Sequence, residues 1–551
     1  MAGKKQNKNF MRQGAILAVS SILVRIIGLV YRIPLNNILG EKGIAYYGVA
    51  YDVYSILLLL SSYSLPLAVS KMISHHLALK EYRNARKILK LSILFALVVG
   101  FVAFCITYFG AAWFAKVLNY PQAAVALRVL SPALVILAVM GVLRGYFQGM
   151  HTMVPTAVSN IIEQIINAAA SIIAAKVMFD SAQNYDASAY SFTNIPEAYG
   201  AAGGTLGTVC GAGVALLFLI WLFVISKKYQ DRKIRRDKTR HTESTSNIIK
   251  ILVWTIIPVI VSTTIYNLSG LIDSGLFSNI MDAKGMDKDL IDTYTGMFTG
   301  NYRLIVNVPI ALASALASSL IPSVVHSRTE GDHRAVRYKV SSAIKLSMIV
   351  AMPCTVGIGV LAKPIINLLF PTSSDPDKVA LMLIIGCISV VLYSLSTITN
   401  SILQGIDKMS LPVIHSAVSL LVHIAFLCLL LLIFDINIFA VVIADILFCL
   451  LVCILNARSL KKHLRFRQEK VKTFVMPAIC SVLMGIFTFI CNWLLYKILH
   501  SNAVAVVLSI ILSMVVYLLL LVKLNVVHEE EMRSFPGGTK LIRICRMFRV
   551  L

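Results

Sequence analysis

The 551-residue chain is 58% hydrophobic and only 14% charged, with a mean hydropathy of +0.80. Soluble domains carry about a quarter charged residues, so a water-soluble fold is excluded. A net charge of +25 raises nucleic acid as a partner, but the placement of the basic residues argues for a membrane.

Continuous apolar runs recur along the whole chain, each long enough to cross about 30 Å of hydrocarbon. They do not alternate every second residue, which excludes a transmembrane β-barrel. The expected class is an all-α integral membrane protein. Fourteen spans are expected, at roughly 12–39, 44–73, 88–111, 122–149, 155–179, 200–226, 249–280, 293–325, 341–370, 379–405, 411–434, 437–457, 474–497 and 503–522. The short basic stretch before the first span resembles a signal peptide. The run that follows is too long, carries arginines and lacks an A-x-A-like cleavage site, so it reads as a retained span.

The first span holds Arg25, Gly28 and Arg32 at i, i+3 and i+7, on one helical face, with Gly28 leaving room between the guanidinium groups. The second carries Asp52. The fifth, "NIIEQIIN", places Asn160, Glu163, Gln164 and Asn167 on one stripe, able either to line a wet path or to join two helices. The seventh carries Asp273. The eighth opens with "YRLIVNVP", bringing Arg303, Asn307 and Pro309. The twelfth carries Asp445. A charge near a helix centre costs about 2.5–3.5 kcal/mol on insertion scales, so each of these should face a cavity or a partner. Arg128, Arg144, Lys71, Lys176, Lys363 and Lys497 lie nearer span ends, where they can reach the interface. Two readings of the central charges stand side by side. The arginines pair internally with Asp52, Glu163 or Asp273, or they line a cationic cavity for an anionic substrate. Arginine suits phosphate because its planar fork binds bidentately and stays charged. Asp273 and Asp445 are candidates either to hold a coupling cation or to pair with a nearby arginine or polar group.

Segments on the N-terminal side of the membrane hold 37 Lys and Arg, while the opposite loops hold only Lys42, Lys116, Lys284, Lys288 and Lys378. The positive-inside rule then puts both termini in the cytoplasm. The run "KKYQDRKIRRDKTRH" from Lys227 reads as a cytoplasmic linker that also attracts anionic lipid.

An internal repeat is visible. "SLPLAVSKMIS" and "SLIPSVVHS" place Pro66 and Pro322 256 residues apart, and "GYFQG" and "SILQG" place Gly149 and Gly405 at the same offset. "YRNAR" matches "HRAVR", and "LNYP" matches "LLFP", in the same order. The offset covers six spans, so the halves keep one orientation. Two six-helix bundles related along the membrane normal are expected, with two helices left over. The expected organisation is an N-terminal bundle over 1–226, a linker over 227–248 and a C-terminal bundle over 249–458. Two extra helices follow over 459–525, then a basic tail over 526–551.

Nine of the ten cysteines lie in apolar spans and Cys545 in the tail. Cys449 and Cys453 share a face but lack His or carboxylate neighbours, so neither a metal site nor a disulfide is expected. No phosphate loop, H-E-x-x-H or nucleophile elbow occurs, so ATP use and enzyme activity are not expected, and no cofactor is implied.

"RIIGLVYRIP", "LRGYFQGMHTMVP" and "YRLIVNVPIALASALASSLIP" resemble the multidrug/oligosaccharidyl-lipid/polysaccharide exporter superfamily, within it the stage V sporulation protein B and MurJ-type branch. The resemblance covers residues from about 10 to 525. It implies a flippase for lipid II, the undecaprenyl-pyrophosphate-linked peptidoglycan precursor, working by alternating access. It also implies that Arg25, Arg32 and Arg303 hold the pyrophosphate, with Gly28, Asp52, Asn160, Glu163, Gln164, Asn167 and Asn307 lining the cavity. The last two helices would form a groove for the polyprenyl tail. Relatives often carry an arginine in the second span, where this chain has Asp52. Another polyprenyl-linked oligosaccharide, such as a capsule, teichuronic or spore-cortex precursor, is the alternative substrate. A multidrug or cation antiporter is the alternative activity, against which the arginines and the two extra spans argue.

Overall fold

A computed structural model describes residues 2–62, 65–185, 192–235, 237, 243–329, 331–434, 436–466 and 468–526. The basic tail with Cys545 and much of the linker after Arg235 lie outside the described residues, as do the side chains of Pro258 and Pro322. The described chain is helical throughout, with no strand among the described residues. It divides into two compact units, Met1–Gly300 and Asn301–Leu551.

The first unit contains α1 (Ala2–Ser61), α2 (Leu65–Ala78), α3 (Tyr82–Val117), α4 (Ala123–Leu130), α5 (Pro132–Gly149), α6 (Val154–Ala182), α7 (Ile195–Arg235), α8 (Thr245–Ala283) and α9 (Lys288–Gly296). α1 is two helices joined at a break. Gly40 sits at φ 64°, ψ −179° with no atom within 4 Å of where a Cβ would stand. Only glycine adopts that conformation without strain. Prolines begin α5 and α6, where the missing N–H costs nothing. Ser244 caps α8 by accepting a hydrogen bond from the Asn247 backbone.

Two seams of small residues hold this unit together. On α5, Gly141, Gly145 and Gly149 recur every fourth residue and face Pro66, Val69 and Ile73 of α2. A methyl group on Gly145 would lie 2.6 Å from the Pro66 carbonyl oxygen, and one on Gly149 2.8 Å from Ile73 Cβ. On α7, Gly203, Gly207 and Gly211 do the same against α6. The Ser171 hydroxyl spans this second seam to the Gly204 carbonyl at 2.7 Å. Close backbone approach of this kind is how helices associate in lipid, where apolar burial gives no preference for protein over acyl chain.

The second unit contains α10 (Arg303–Thr329), α11 (His333–Val360), α12 (Ala362–Leu369), α13 (Pro376–Gly386), α14 (Ile388–Gly405), α15 (Ser410–Ile433), α16 (Phe439–Leu464), α17 (Met476–Leu499) and α18 (Asn502–Lys523). Asp332 caps α11 through the Arg334 and Ala335 backbone N–H groups, and Asp375 caps α13 through that of Lys378. α13 and α14 meet at a bend of 46°. α17 and α18 pack on each other, and α17 also packs on α11. Two π-helical turns, Met297–Tyr302 and Val471–Val475, precede α10 and α17.

The motifs of the internal repeat lie on packed helices in each unit. Pro66 and "GYFQG" meet across α2 and α5, and their counterparts sit on α10 and α14, which also pack together. Among the described residues, ten helices are long and apolar enough to cross a membrane, or eleven if the bent pair is one span. The first of these, Ser20–Ala78, contains the break at Gly40 and so merges the first two expected spans. This is a multi-pass membrane protein.

A polar cluster ties α1, α7 and α9 at one end of the first unit. Lys42 Nζ lies 2.7 Å from Asp289 Oδ2, and Asn194 Nδ2 donates to Asp289 Oδ1 at 2.9 Å. Tyr46 donates to Asp292 at 2.6 Å beside them. Hydrogen bonds from Lys42 and Asn194 hold the Asp289 carboxyl below its ordinary pKa. A depressed carboxylate adds stability above its ordinary pKa and loses it as pH falls through the lowered one. Asp289 is half exposed, so the effect is at most about 0.5 kcal/mol. Asp289→Asn is therefore expected to lower the melting temperature slightly at pH 7 and to match the parent once the medium is acid enough to protonate Asp289. A gap that persists in acid would show that packing, not charge, is lost.

Candidate functional site

In the first unit the arginine face of α1 lies along α6. A Cβ on Gly28 would stand 3.1 Å from Gln164 Nε2, so Gly28 is where the amide of α6 approaches α1. Arg25 is exposed and Arg32 half buried. The Arg32 guanidinium lies over the Tyr51 ring, 5.7 Å from its centroid. Tyr51 stacks in turn on Tyr47 at 5.9 Å and meets Tyr54 at 5.6 Å. These tyrosines stand at i, i+4 and i+7 on the second half of α1, so the break at Gly40 folds an aromatic ladder back beneath the arginine. Cation–π contact favours a guanidinium shielded from water. Asp52 lies on this same half of α1 and is half buried.

The α6 stripe divides between two jobs. Glu163 accepts from Arg144 Nη2 at 2.7 Å, and Arg144 Nε donates to Ser159 Oγ at 3.0 Å, joining α5 to α6. Arg144 is thus an internal ion-pair partner, where its position near a span end suggested reach to the interface. Asn167 accepts from Ser171 at 3.0 Å and flanks Gly211, so it belongs to the α6–α7 seam. Gln164 meets α1, and Asn160 is half buried. Asp273, on α8, is fully buried.

In the second unit the π-helical turn delivers Arg303 at the start of α10. Such turns are often found at functional sites. Arg303 Nη2 is 3.9 Å from Asp445 Oδ2, a loose ion pair, and Tyr393 donates to Asp445 Oδ1 at 3.3 Å. Asp445 is buried while Arg303 is half buried. Asn307, one turn on, is exposed. Two of the expected site residues, Arg303 and Asp445, therefore meet each other. Arg25, Gly28, Arg32, Glu163 and Gln164 gather along α1 and α6 of the first unit.

Several contributors have no charge to betray them. The glycine seams were legible as four-residue spacing in "GVLRGYFQG" and "GGTLGTVCG". The tyrosine ladder was legible as "YYGVAYDVY", but only the break at Gly40 brings it to Arg32. The π-helical turn has no sequence signal that we recognise.

Residues 10–328 match the family described as polysaccharide biosynthesis protein. The chain belongs to this family. Residues 303–429 also match the MatE family. Among curated relatives of this family member, the lipid II flippase MurJ of Bacillus subtilis (strain 168) is 25% identical, with 96% of this chain and 98% of that protein covered. The stage V sporulation protein B of the same organism is 23% identical over 97% of this chain and 99% of that protein. Among solved structures, an inward closed conformation of lipid II flippase MurJ aligns with a TM-score of 0.65. It is 15% identical and covers 92% of this chain and 98% of that one, a likeness of fold. The region matched to the polysaccharide biosynthesis family includes the "RIIGLVYRIP" stretch of α1.

Proposed function

We propose that this family member is a flippase that moves a polyprenyl-pyrophosphate-linked cell-wall precursor, lipid II, across the bacterial plasma membrane by alternating access. The observation that carries the reading is the arginine face of α1, which sets Arg25, exposed, and Arg32, half buried, on either side of Gly28 within a membrane span. Ionisable residues inside a span often mark a substrate path. Arg25 and Arg32 bind the pyrophosphate, and Arg303 adds a third guanidinium, released from its loose contact with Asp445 as substrate arrives. A pyrophosphate crossing without these partners would meet a very large desolvation cost. Gly28, Asp52, Asn160, Gln164 and Asn307 line the path, and Asp273 and Asp445 are the groups able to couple a cation.

The remaining topology belongs to the same proposal: fourteen spans in two six-helix bundles plus two, with both termini cytoplasmic. The bundles cover 1–226 and 249–458. α17 and α18, almost without internal charge, carry the polyprenyl tail along the bilayer. Membrane potential supplies about 2.3 kcal/mol per charge per 100 mV to whatever net charge moves. Near-equal similarity to the sporulation protein supports a second substrate, another polyprenyl-linked glycan.

Expression in bacteria depleted of their own lipid II flippase tests this. The parent chain should restore growth, while Arg25→Ala and Arg303→Ala, at matched membrane levels, should not. Rescue by all three would remove the arginines from the site. No rescue by a well-expressed parent would overturn lipid II as the cargo.

A further inference from the structure

A cavity of about 590 Å³ lies wholly within the second unit, apart from the arginines. Its walls come from α11, α14, α16 and the connection into α17. Ile344, Leu395, Leu460 and Phe474 give it an apolar body, and Lys461 and Lys470 supply two cations open to solvent. The connection is shaped for this. α16 ends with Arg465 in the left-handed conformation, which turns the chain back, and the π-helical turn at Val471–Val475 restarts it.

Gln468 lies in that connection and lines the cavity. Its Nε2 donates to Thr473 Oγ1 at 2.6 Å, while its Oε1, alone among this cavity's lining residues, is buried without a hydrogen-bond partner among the described residues. Exchanging the two ends of the amide changes which atom is unmatched, not that one is. Buried polar atoms are nearly always satisfied, so an unmatched one in a cavity wall points to a ligand with polar groups. The stretch 458–472 carries seven Lys and Arg, which places it at the cytoplasmic surface, on the orientation proposed above. Anionic headgroups are drawn to basic pockets there. The volume is that of a small-ligand site. It suits a headgroup and the first carbons of a chain, the rest lying in the bilayer.

We propose that this cavity binds an anionic phospholipid of the cytoplasmic leaflet with a hydroxylated headgroup, of the phosphatidylglycerol type. The phosphate meets Lys461 and Lys470, a headgroup hydroxyl meets Gln468, and an acyl chain lies along Leu395, Leu460 and Phe474. This lipid is a resident of the second unit and not the cargo.

Native mass spectrometry of the purified full chain tests the proposal. After incubation with equal phosphatidylglycerol and phosphatidylcholine, the parent should retain one phosphatidylglycerol with at least about fivefold preference. Lys461→Ala/Lys470→Ala should abolish the preference, while Lys90→Ala/Lys227→Ala, which removes as much basic charge elsewhere, should keep it. Ala457→Leu, which fills the cavity and spares both lysines, should also lose it. Unchanged retention in the cavity variants, or equal loss in the distant one, overturns the proposal. Displacement by glycerol 3-phosphate would make the ligand a soluble phosphate, and displacement by equimolar undecaprenyl phosphate would make the cavity part of the cargo path. Either overturns it. Failure here leaves the growth test untouched, because that test reads Arg25 and Arg303.

Discussion

Gly207→Ala is expected to destabilise the protein by about 1–2 kcal/mol, although alanine is the better helix former. The added methyl falls on Ser171 Oγ and stands 2.5 Å from the Ser171 backbone nitrogen. Neither α6 nor α7 can yield without opening the seam and breaking the hydrogen bond from Ser171 to the Gly204 carbonyl. Overpacking of this kind costs about 1–3 kcal/mol, which exceeds the gain of up to about 1 kcal/mol from removing a helical glycine. Gly213→Ala, on the same helix, meets nothing within 4 Å and should be neutral or stabilising. Thermal unfolding of the two variants in one detergent measures the contrast. Equal behaviour would show that the seam is looser than its geometry.

Arg144→Ala is expected to lower stability by about 3 kcal/mol, because it leaves the Glu163 carboxylate inside the bundle without its partner. Arg144 and Glu163 expose 15% and 24% of their side chains, so screening by water is limited. The double variant Arg144→Ala/Glu163→Ala should recover much of the loss, giving a coupling of about 1–3 kcal/mol in a double-mutant cycle. Arg25→Ala should show no such recovery with Glu163→Ala. Additive effects of Arg144 and Glu163 would mean that the pair does not hold α5 to α6. The cycle separates an arginine kept for architecture from those proposed to meet cargo.

The helical class and most element positions were legible, because membrane spans declare themselves by length and apolarity. α6, α15, α17 and α18 lie within about three residues of the expected runs, whereas the run expected at 341–370 is divided between α11 and α12. The break in α1 was harder. The polar stretch "GEKG" from Gly40 marks where two apolar runs separate, but not that the helix continues across it with the backbone turning at one glycine. The arginines stood out singly, since each is costly in lipid. Their fates did not: Arg144, near a span end, read as a residue reaching the interface, and Arg303 and Arg32 read alike as central charges. One is paired with a glutamate, one is loosely held by an aspartate, and one lies over a tyrosine ring. Which partner an arginine finds depends on helices far apart in the chain, and hydropathy does not record that.

The packing of Gly28 against Gln164 bears on how the protein is made. The first span leaves the ribosome with Arg25 and Arg32 exposed on one face, a burden of roughly 5–7 kcal/mol on the insertion scale. The amide that covers Gly28 is synthesised more than a hundred residues later. Arg32 meets its Tyr51 ring after only nineteen more residues, whereas the contact at Gly28 waits for α6. The face of the first span is therefore completed in two stages of synthesis, one within α1 and one from a helix translated much later.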